Sequence, residues 1–271
     1  MIPILLAAAA ALQAPVSAGA FALEGRLVQG GLVRGTAPPG TVRLMLDGKP
    51  VAMAPDRHFL IGFDRDQGGQ ALLVAEAADG RQTLETLRVA AAAWKIERIG
   101  MARPPGGPTA EYLRLREPEL ARIEAARAAA SEVEGWRQTF LWPARGRLSG
   151  VFGSQRFYKG IPAAFHGGVD IAAGAGATVV APADGVVVLA GPPALSLEGN
   201  LVILDHGLGL NSAFLHLSES FVAVGQRVRQ GEAIGRVGMT GRATGPHLHW
   251  AVKWRDARID PAALTAGAPA R

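Results

Sequence analysis

The sequence predicts a mainly β protein with a small β-sandwich-like N-terminal domain, a connecting helix and an antiparallel β-domain at its C-terminal side. Three observations predict this fold class. Short runs of alternating apolar and polar residues, separated by turn signals, come first. A linker rich in proline and glycine and an alanine-rich stretch of helical periodicity follow. From Trp142 onward, glycine-punctuated β-runs take over. The expected segments are residues 1–20, 21–98, 99–141 and 142–271.

Two turn signals organise the predicted sandwich. Asp47-Gly48 lies between the two alternating arms of TVRLMLDGKPVAM, which is the pattern of a β-hairpin. Asp79-Gly80 separates QALLVAEA from RQTLETLRV in the same way. His58 is the one histidine of this part, and a lone histidine there predicts an ordinary surface or core residue. The predicted sandwich therefore offers no visible chemistry.

The stretch EPELARIEAARAAASEVEGW is typical of a helix. Its apolar residues recur at three- and four-residue steps, and Pro118 suits a first helical turn. Glu119 with Arg122, and Glu124 with Arg127, have the spacing of pairs on an exposed helical face. We expect this element to be a bracing or spacer helix.

Composition limits the class of protein, its possible partners and the kind of metal site it can form. Of the 271 residues, 49% are hydrophobic and 19% charged, which is enough apolar material for a packed core. The net charge of +5 suits an anionic partner such as an acidic cell-wall polymer, but charge alone is weak support for nucleic acid, and we predict no nucleic-acid partner. Cysteine is absent, so any metal must be held by His, Asp or Glu.

The first 21 residues, MIPILLAAAAALQAPVSAGAF, indicate export. Their apolar core is too short to span a bilayer and leads into small residues, as in a cleavable signal peptide, although no Lys or Arg precedes it. No later segment has the length of a transmembrane helix. We therefore expect no stable membrane insertion and a periplasmic or extracellular location.

Two motifs in the last part of the chain contain candidate metal ligands. In FHGGVDI, three residues separate His166 from Asp170, and two of them are glycines that let the side chains converge. In GPHLHW, His247 and His249 face the same side of a strand because side chains alternate along it. A hydrolytic zinc site needs three nitrogen or oxygen ligands and an open fourth position. If one imidazole of the pair binds metal, its neighbour is free to move protons, and a second imidazole from another strand, His206 or His216, could assist it.

These motifs, HGGVD, HLS and GPHLH in that order, resemble the lysostaphin/LytM family of peptidoglycan metallo-endopeptidases. The resemblance covers about residues 147–261 and includes VGQRVRQGEAIGRVGMTGRATGPHLHW. It implies Zn²⁺ as cofactor, peptidoglycan as partner, and hydrolysis of peptide bonds in stem peptides or cross-links. It implies as zinc ligands His166, Asp170 and His249, and as catalytic residues His216 and His247.

Other functions fit less well. Some relatives in this family lack the ligands and activate other wall hydrolases, so a wall-bound regulator is the alternative; this chain keeps all five positions, which favours an enzyme. Biotin or lipoate carriers share similar β-runs, but neither Lys159 nor Lys253 lies at a suitable hairpin tip. The chain also lacks H-E-x-x-H, G-x-S-x-G and a cysteine nucleophile. We interpret His206 as structural, and Tyr158 as the candidate for a tyrosine that the family often has near its site.

Overall fold

The computed structural model describes residues 21–102 and 108–270, and it confirms the mainly β fold class, with strands making up 43% of it. The predicted export signal lies outside the described residues, as does the middle of the predicted linker. The strands of the N-terminal part are β1 (Ala22–Gly25), β2 (Leu32–Thr36), β3 (Thr41–Leu46), β4 (Lys49–Val51), β5 (His58–Gly62), β6 (Gln70–Ala77), β7 (Gln82–Arg88) and β8 (Ile96–Ile99). The helix α1 (Ala110–Ala128) follows. The C-terminal strands are β9 (Arg147–Gly150), β10 (Gln155–Tyr158), β11 (Ile161–Pro162), β12 (Val169–Ala172), β13 (Thr178–Val180), β14 (Gly185–Ala190), β15 (Asn200–Asp205), β16 (Leu210–Leu217), β17 (Glu219–Ser220), β18 (Arg227–Val228), β19 (Ala233–Arg236), β20 (Leu248–Trp254) and β21 (Ala257–Ile259).

Two antiparallel sheets form the N-terminal part, with strand orders β1-β2-β5 and β4-β3-β6-β7. Both predicted hairpins are confirmed. Asp47 and Gly48 connect β3 to β4 with positive φ angles of 49° and 75°, as a two-residue turn that matches strand twist requires. The second turn, at Asp79-Gly80, connects β6 to β7. Fully buried apolar side chains of β5 and β6, among them Phe59, Ile61 and Leu73, fill the space that these strands enclose.

The helix begins and ends earlier in the chain than predicted. It begins at Ala110 because the Thr109 side chain accepts a hydrogen bond from the Tyr112 N–H at 3.1 Å. Pro118 therefore lies in the helix interior, and its placement in the first turn was wrong. The helix ends before Ser131, whose N–H and hydroxyl both donate to an Asp205 carboxylate oxygen and so attach the chain to β15.

The predicted surface pairs of this helix are also wrong, because its polar side chains reach across to the C-terminal sheet. Glu119 binds Arg116 and the Ser196 N–H and hydroxyl rather than Arg122. Arg127 donates to the Asn211 side chain on β16. The bracing role is supported, since Ala126 packs with buried apolar residues of β14 and β15.

The C-terminal part is built on one antiparallel sheet of order β18-β14-β15-β16-β20-β12-β9, to which β21 adds through β20. A three-stranded sheet, β13-β19-β17, accompanies it. Inward side chains of the central strands, such as Phe214, Leu248 and Trp250, are completely buried. This rigid centre, formed by β12, β16 and β20, carries the candidate site.

The two β-regions are in direct contact. β8 pairs in parallel with β10, which places a strand from the N-terminal part beside the hairpin β10–β11. One continuous hydrophobic cluster includes Phe59 and Leu73 from the first region and Trp250 and Ile259 from the second. Within residues 21–102 and 108–270, no helix is long and apolar enough to cross a membrane.

Candidate metal centre

Neighbouring strands bring the predicted ligands together. Asp170 on β12 lies directly opposite His249 on β20 in the antiparallel ladder, so both side chains emerge on the same face. His166 precedes β12 in a loop and turns its ring towards them, with its centroid 4.8 Å from that of His249. Long-range strand pairing thus unites residues that are 79 positions apart in the chain.

The three ligand atoms have the spacing that a single metal ion needs. His166 Nε2 lies 3.1 Å from Asp170 Oδ1 and 3.1 Å from His249 Nδ1, and His249 Nδ1 lies 2.8 Å from Asp170 Oδ1. Tetrahedral zinc with bonds of about 2.0–2.2 Å requires donor atoms about 3.3–3.6 Å apart. An outward shift of about half an ångström would meet this requirement, and a donor set of two imidazoles and one carboxylate suits zinc. These residues therefore fit the metal.

The centre is accessible from solvent. The side chains of His166, Asp170, His247 and His249 are between 15% and 25% exposed, so they are neither sealed in the core nor freely solvated. The candidate ligands are therefore partly accessible to solvent.

Backbone contacts fix the orientation of His166. Its Nδ1 lies 3.1 Å from the Val151 carbonyl oxygen, which can only accept a hydrogen bond. Nδ1 must therefore carry the proton, and Nε2 is left as the donor atom that faces Asp170 and His249.

Two glycines make room for the cluster. A Cβ atom on Gly150, which pairs with Asp170 across β9 and β12, would lie 2.3 Å from Asp170 Oδ2. One on Gly168 would lie 2.4 Å from the Trp250 carbonyl oxygen and 2.8 Å from His249 Nε2. Gly168 thus serves close packing against β20. The sequence does not indicate this role of Gly150, because a glycine at the end of a short strand does not reveal which side chain faces it on the neighbouring strand.

The remaining two histidines lie beside the ligands. The ring of His216 is 4.9 Å from that of His247 and 6.4 Å from that of His249, and His247 Nε2 lies 3.8 Å from Asp170 Oδ1. His216 has a positive φ of 64°, an uncommon backbone conformation for a non-glycine residue. Its neighbour Leu215 pairs with His249, so β16 changes conformation one residue past its last pair with β20.

Each of these two rings is anchored through Nδ1. His216 Nδ1 lies 2.8 Å from the Thr240 carbonyl oxygen, and His247 Nδ1 lies 2.8 Å from that of Gly245. Both carbonyls can only accept, so in each neutral ring the proton is on Nδ1 and Nε2 has a free lone pair. No pattern in the sequence indicates the Thr240 contact, because Thr240 lies 24 positions from His216.

Electrostatics favour the protonation states that a metal site needs. Burial opposes ionisation of Asp170, but hydrogen bonds from His166 and His249 hold the pKa of its carboxyl well below the usual range. Burial lowers the pKa of both His249 and His216. Burial also acts on His166, yet the hydrogen bond and charge of Asp170 raise its pKa. The carboxylate is therefore ionised and two imidazoles favour the neutral form, as metal binding and proton uptake require.

Two other residues singled out in the sequence, His206 and Tyr158, lie in other parts of the fold. His206 is completely buried, with Nδ1 2.8 Å from the Asp184 carbonyl oxygen and Nε2 2.9 Å from the Ser212 hydroxyl, in keeping with its structural interpretation. Tyr158 lies on β10, where it pairs with Ile99 of β8. Its role near the site stays a prediction.

Known proteins resemble this chain in two ways. Residues 164–261 match the model of peptidase family M23. The DD-carboxypeptidase/endopeptidase Mpg of Neisseria meningitidis is 40% identical over 104 residues, which are 38% of this chain and 24% of that protein. The peptidoglycan DD-endopeptidase ShyA of Vibrio cholerae is 44% identical over 85 residues, or 31% and 19% of the two chains. The matched segment is thus about a fifth to a quarter of these curated relatives.

A solved structure matches over nearly its whole length. The crystal structure of a protein from Pseudomonas aeruginosa, named a putative peptidase M23, has a TM-score of 0.66 and 33% identity, covering 88% of this chain and 93% of that one. The match therefore includes the N-terminal β-region and the helix as well as the site. Together with the family match over the segment that holds all five predicted site residues, it confirms the LytM-type resemblance, and the chain belongs to peptidase family M23.

Proposed function

We propose that this chain is an exported, zinc-dependent endopeptidase that hydrolyses peptide bonds in the stem peptides or cross-links of peptidoglycan. The observation that carries the proposal is the convergence of three donor atoms within 2.8–3.1 Å of one another, with two further imidazoles beside them. Membership of family M23 and relatives named peptidoglycan DD-endopeptidases support the reaction and the substrate class.

In this proposal His166, Asp170 and His249 hold the zinc ion. Zinc bound there supplies Lewis-acid chemistry, which polarises the scissile carbonyl and makes water a better nucleophile at neutral pH. The protein contributes a carboxylate that is already ionised and a His166 ring whose orientation is fixed by the Val151 carbonyl. Such preorganisation means that little side-chain rearrangement accompanies metal binding.

His216 and His247 move the protons. Each offers an unprotonated Nε2, since each Nδ1–H is directed at a backbone carbonyl oxygen. They accept a proton from the attacking water, return it to the leaving amine, and in protonated form donate a hydrogen bond to the developing oxyanion. Burial of His216 favours its neutral, proton-accepting form near neutral pH.

Digestion of isolated wall sacs tests this proposal. Purified protein with zinc should release muropeptides, and mass spectrometry of the fragments should show one type of cleaved peptide bond. His216→Ala and His247→Ala should keep the metal and lose about two to four orders of magnitude in turnover, the usual contribution of a positioned proton-transfer group. His249→Ala should lose both zinc and release.

Two outcomes would contradict the proposal. Release by wild type that equals release by His249→Ala would separate the activity from this site. No release by zinc-loaded wild type under any condition, together with stimulated release when a second wall hydrolase is added, would assign the chain to the non-enzymatic activators.

A further inference from the structure

The loop of residues 151–154 forms hydrogen bonds with His166. The His166 N–H donates to the Ser154 carbonyl oxygen at 2.9 Å, and the Gly153 N–H donates to the His166 carbonyl oxygen at 2.9 Å. The Val151 carbonyl oxygen of the same loop receives Nδ1 of the His166 ring. Backbone and side chain of His166 are therefore both oriented by three residues of this loop, Val151, Gly153 and Ser154.

An arginine from the N-terminal β-region holds this loop. Arg65, which is only 7% exposed, directs Nε and Nη2 at the Gly153 carbonyl oxygen over 3.3 and 3.2 Å. Its third nitrogen, Nη1, lies 2.5 Å from Asp66 Oδ1. The two donors on one carbonyl use the planar fork of a guanidinium, which a lysine ammonium cannot reproduce.

Two aromatic side chains pack against the same guanidinium. The Arg65 guanidinium carbon lies 5.5 Å from the ring centroid of Trp94 and 4.9 Å from that of Phe165, the residue before His166. Gly153 is pressed against Trp94, where an added Cβ would come within 2.2 Å of the indole, and its φ is +75°. Arg65 thus contacts both Gly153 in the loop and Phe165, the residue before His166.

We propose that Arg65 is a positioning residue for the metal centre: it holds the loop 151–154, and through it the His166 ring, in the geometry that zinc requires. The N-terminal β-region is then a structural part of the metal centre rather than only a neighbouring module. This inference rests on the proposed zinc ligation by His166.

The zinc affinity of the full chain tests it, measured by competition with a chromophoric chelator using zinc salt alone. Arg65→Met keeps the alkyl stem and removes the donors, and we expect it to weaken zinc binding about tenfold, the lower end for partners that orient a ligand. Arg34→Met is the matched control, because Arg34 also crosses to the C-terminal side, donating to the Trp136 and Gln138 carbonyls, but has no contact with the loop. Thermal unfolding of the zinc-free proteins shows how far each variant is destabilised.

The expected pattern is weaker zinc binding in Arg65→Met alone, even if both variants lose similar stability. Zinc affinity of Arg65→Met within twofold of wild type would overturn the inference, and so would an equal loss in Arg34→Met. If Arg65→Met does not fold, Arg65→Gln, which keeps a polar amide at the buried position, is judged by the same thresholds. His166→Ala separates the two hypotheses: tight zinc binding by it would refute the ligand assignment, whereas its loss of zinc beside a wild-type-like Arg65→Met would refute the positioning role only.

Discussion

Gly150→Ala should damage the metal centre while leaving the sheet intact. The added Cβ would lie 2.3 Å from Asp170 Oδ2 and 3.0 Å from His166 Cε1, where an ordinary contact begins at 3.4 Å. The Asp170 carboxylate must therefore retreat by about 1 Å, which is several times the tolerance of about 0.2 Å on a metal–ligand distance. Because the φ angle of Gly150 is not in the left-handed region, the backbone itself accepts alanine.

The expected consequence is a zinc affinity at least about tenfold weaker and a turnover about a hundredfold lower, as for a reacting group displaced by 1 Å. Zinc competition gives the first quantity and muropeptide release from wall sacs the second. Gly167→Ala is the matched control: its added Cβ meets only Arg258 Cδ, at 3.7 Å, although it lies next to His166 in the chain. Wild-type zinc affinity and turnover in Gly150→Ala would refute the steric reasoning and place Asp170 outside the metal's coordination shell.

Two further predictions concern buried polar groups. Burial lowers the pKa of His206 from 6.5 to about 4, so its neutral form stabilises the fold fully above pH 6.5 and this contribution is lost as the pH falls towards 4. In urea unfolding of the zinc-free proteins, the free energy of unfolding should fall over that pH interval by about 3 kcal/mol more in wild type than in His206→Asn. An equal pH dependence of the two proteins would contradict this prediction. Arg116 forms two hydrogen bonds with the buried Glu198 carboxylate. Arg116→Met should lower the free energy of unfolding by about 3 kcal/mol, because it leaves the buried charge of Glu198 unpaired. In urea unfolding, the double variant Arg116→Met/Glu198→Leu should recover most of this loss. As a control, substitution of the exposed Arg114 by Met should change the free energy of unfolding by about 0.5 kcal/mol or less. A loss in the double variant as large as in Arg116→Met would contradict this explanation.

The ligand set was predicted from the family resemblance of the motifs HGGVD, HLS and GPHLH, and a local pattern predicted one part of its geometry. Strand alternation places His247 and His249 on one side, and the structure has both within 3.8 Å of Asp170. The hairpin turn at Asp47-Gly48 could also be predicted, since an Asp-Gly sequence favours the positive φ angles that both residues adopt. Both of these geometric predictions depend on residues close in sequence, whereas the roles of the five site residues came from the resemblance.

Features that depend on partners far away in the chain could not be predicted. The steric need for Gly150 comes from Asp170 on another strand, and the Gly153 contact comes from Arg65, 88 positions earlier. The helix was misplaced for a related reason: proline in a first turn is a good general rule, but the Thr109 cap and the attachment of Ser131 to Asp205 determine its ends. Tertiary contacts outweigh local preference at such positions.

Anomalous diffraction at the zinc absorption edge from crystals of the zinc-loaded protein tests the metal site most directly. We expect one strong peak per chain, about 2.0–2.2 Å from His166 Nε2, Asp170 Oδ1 and His249 Nδ1, with His216 and His247 at longer distance. A zinc peak bound by other residues, or none at this cluster at saturating zinc, would contradict it.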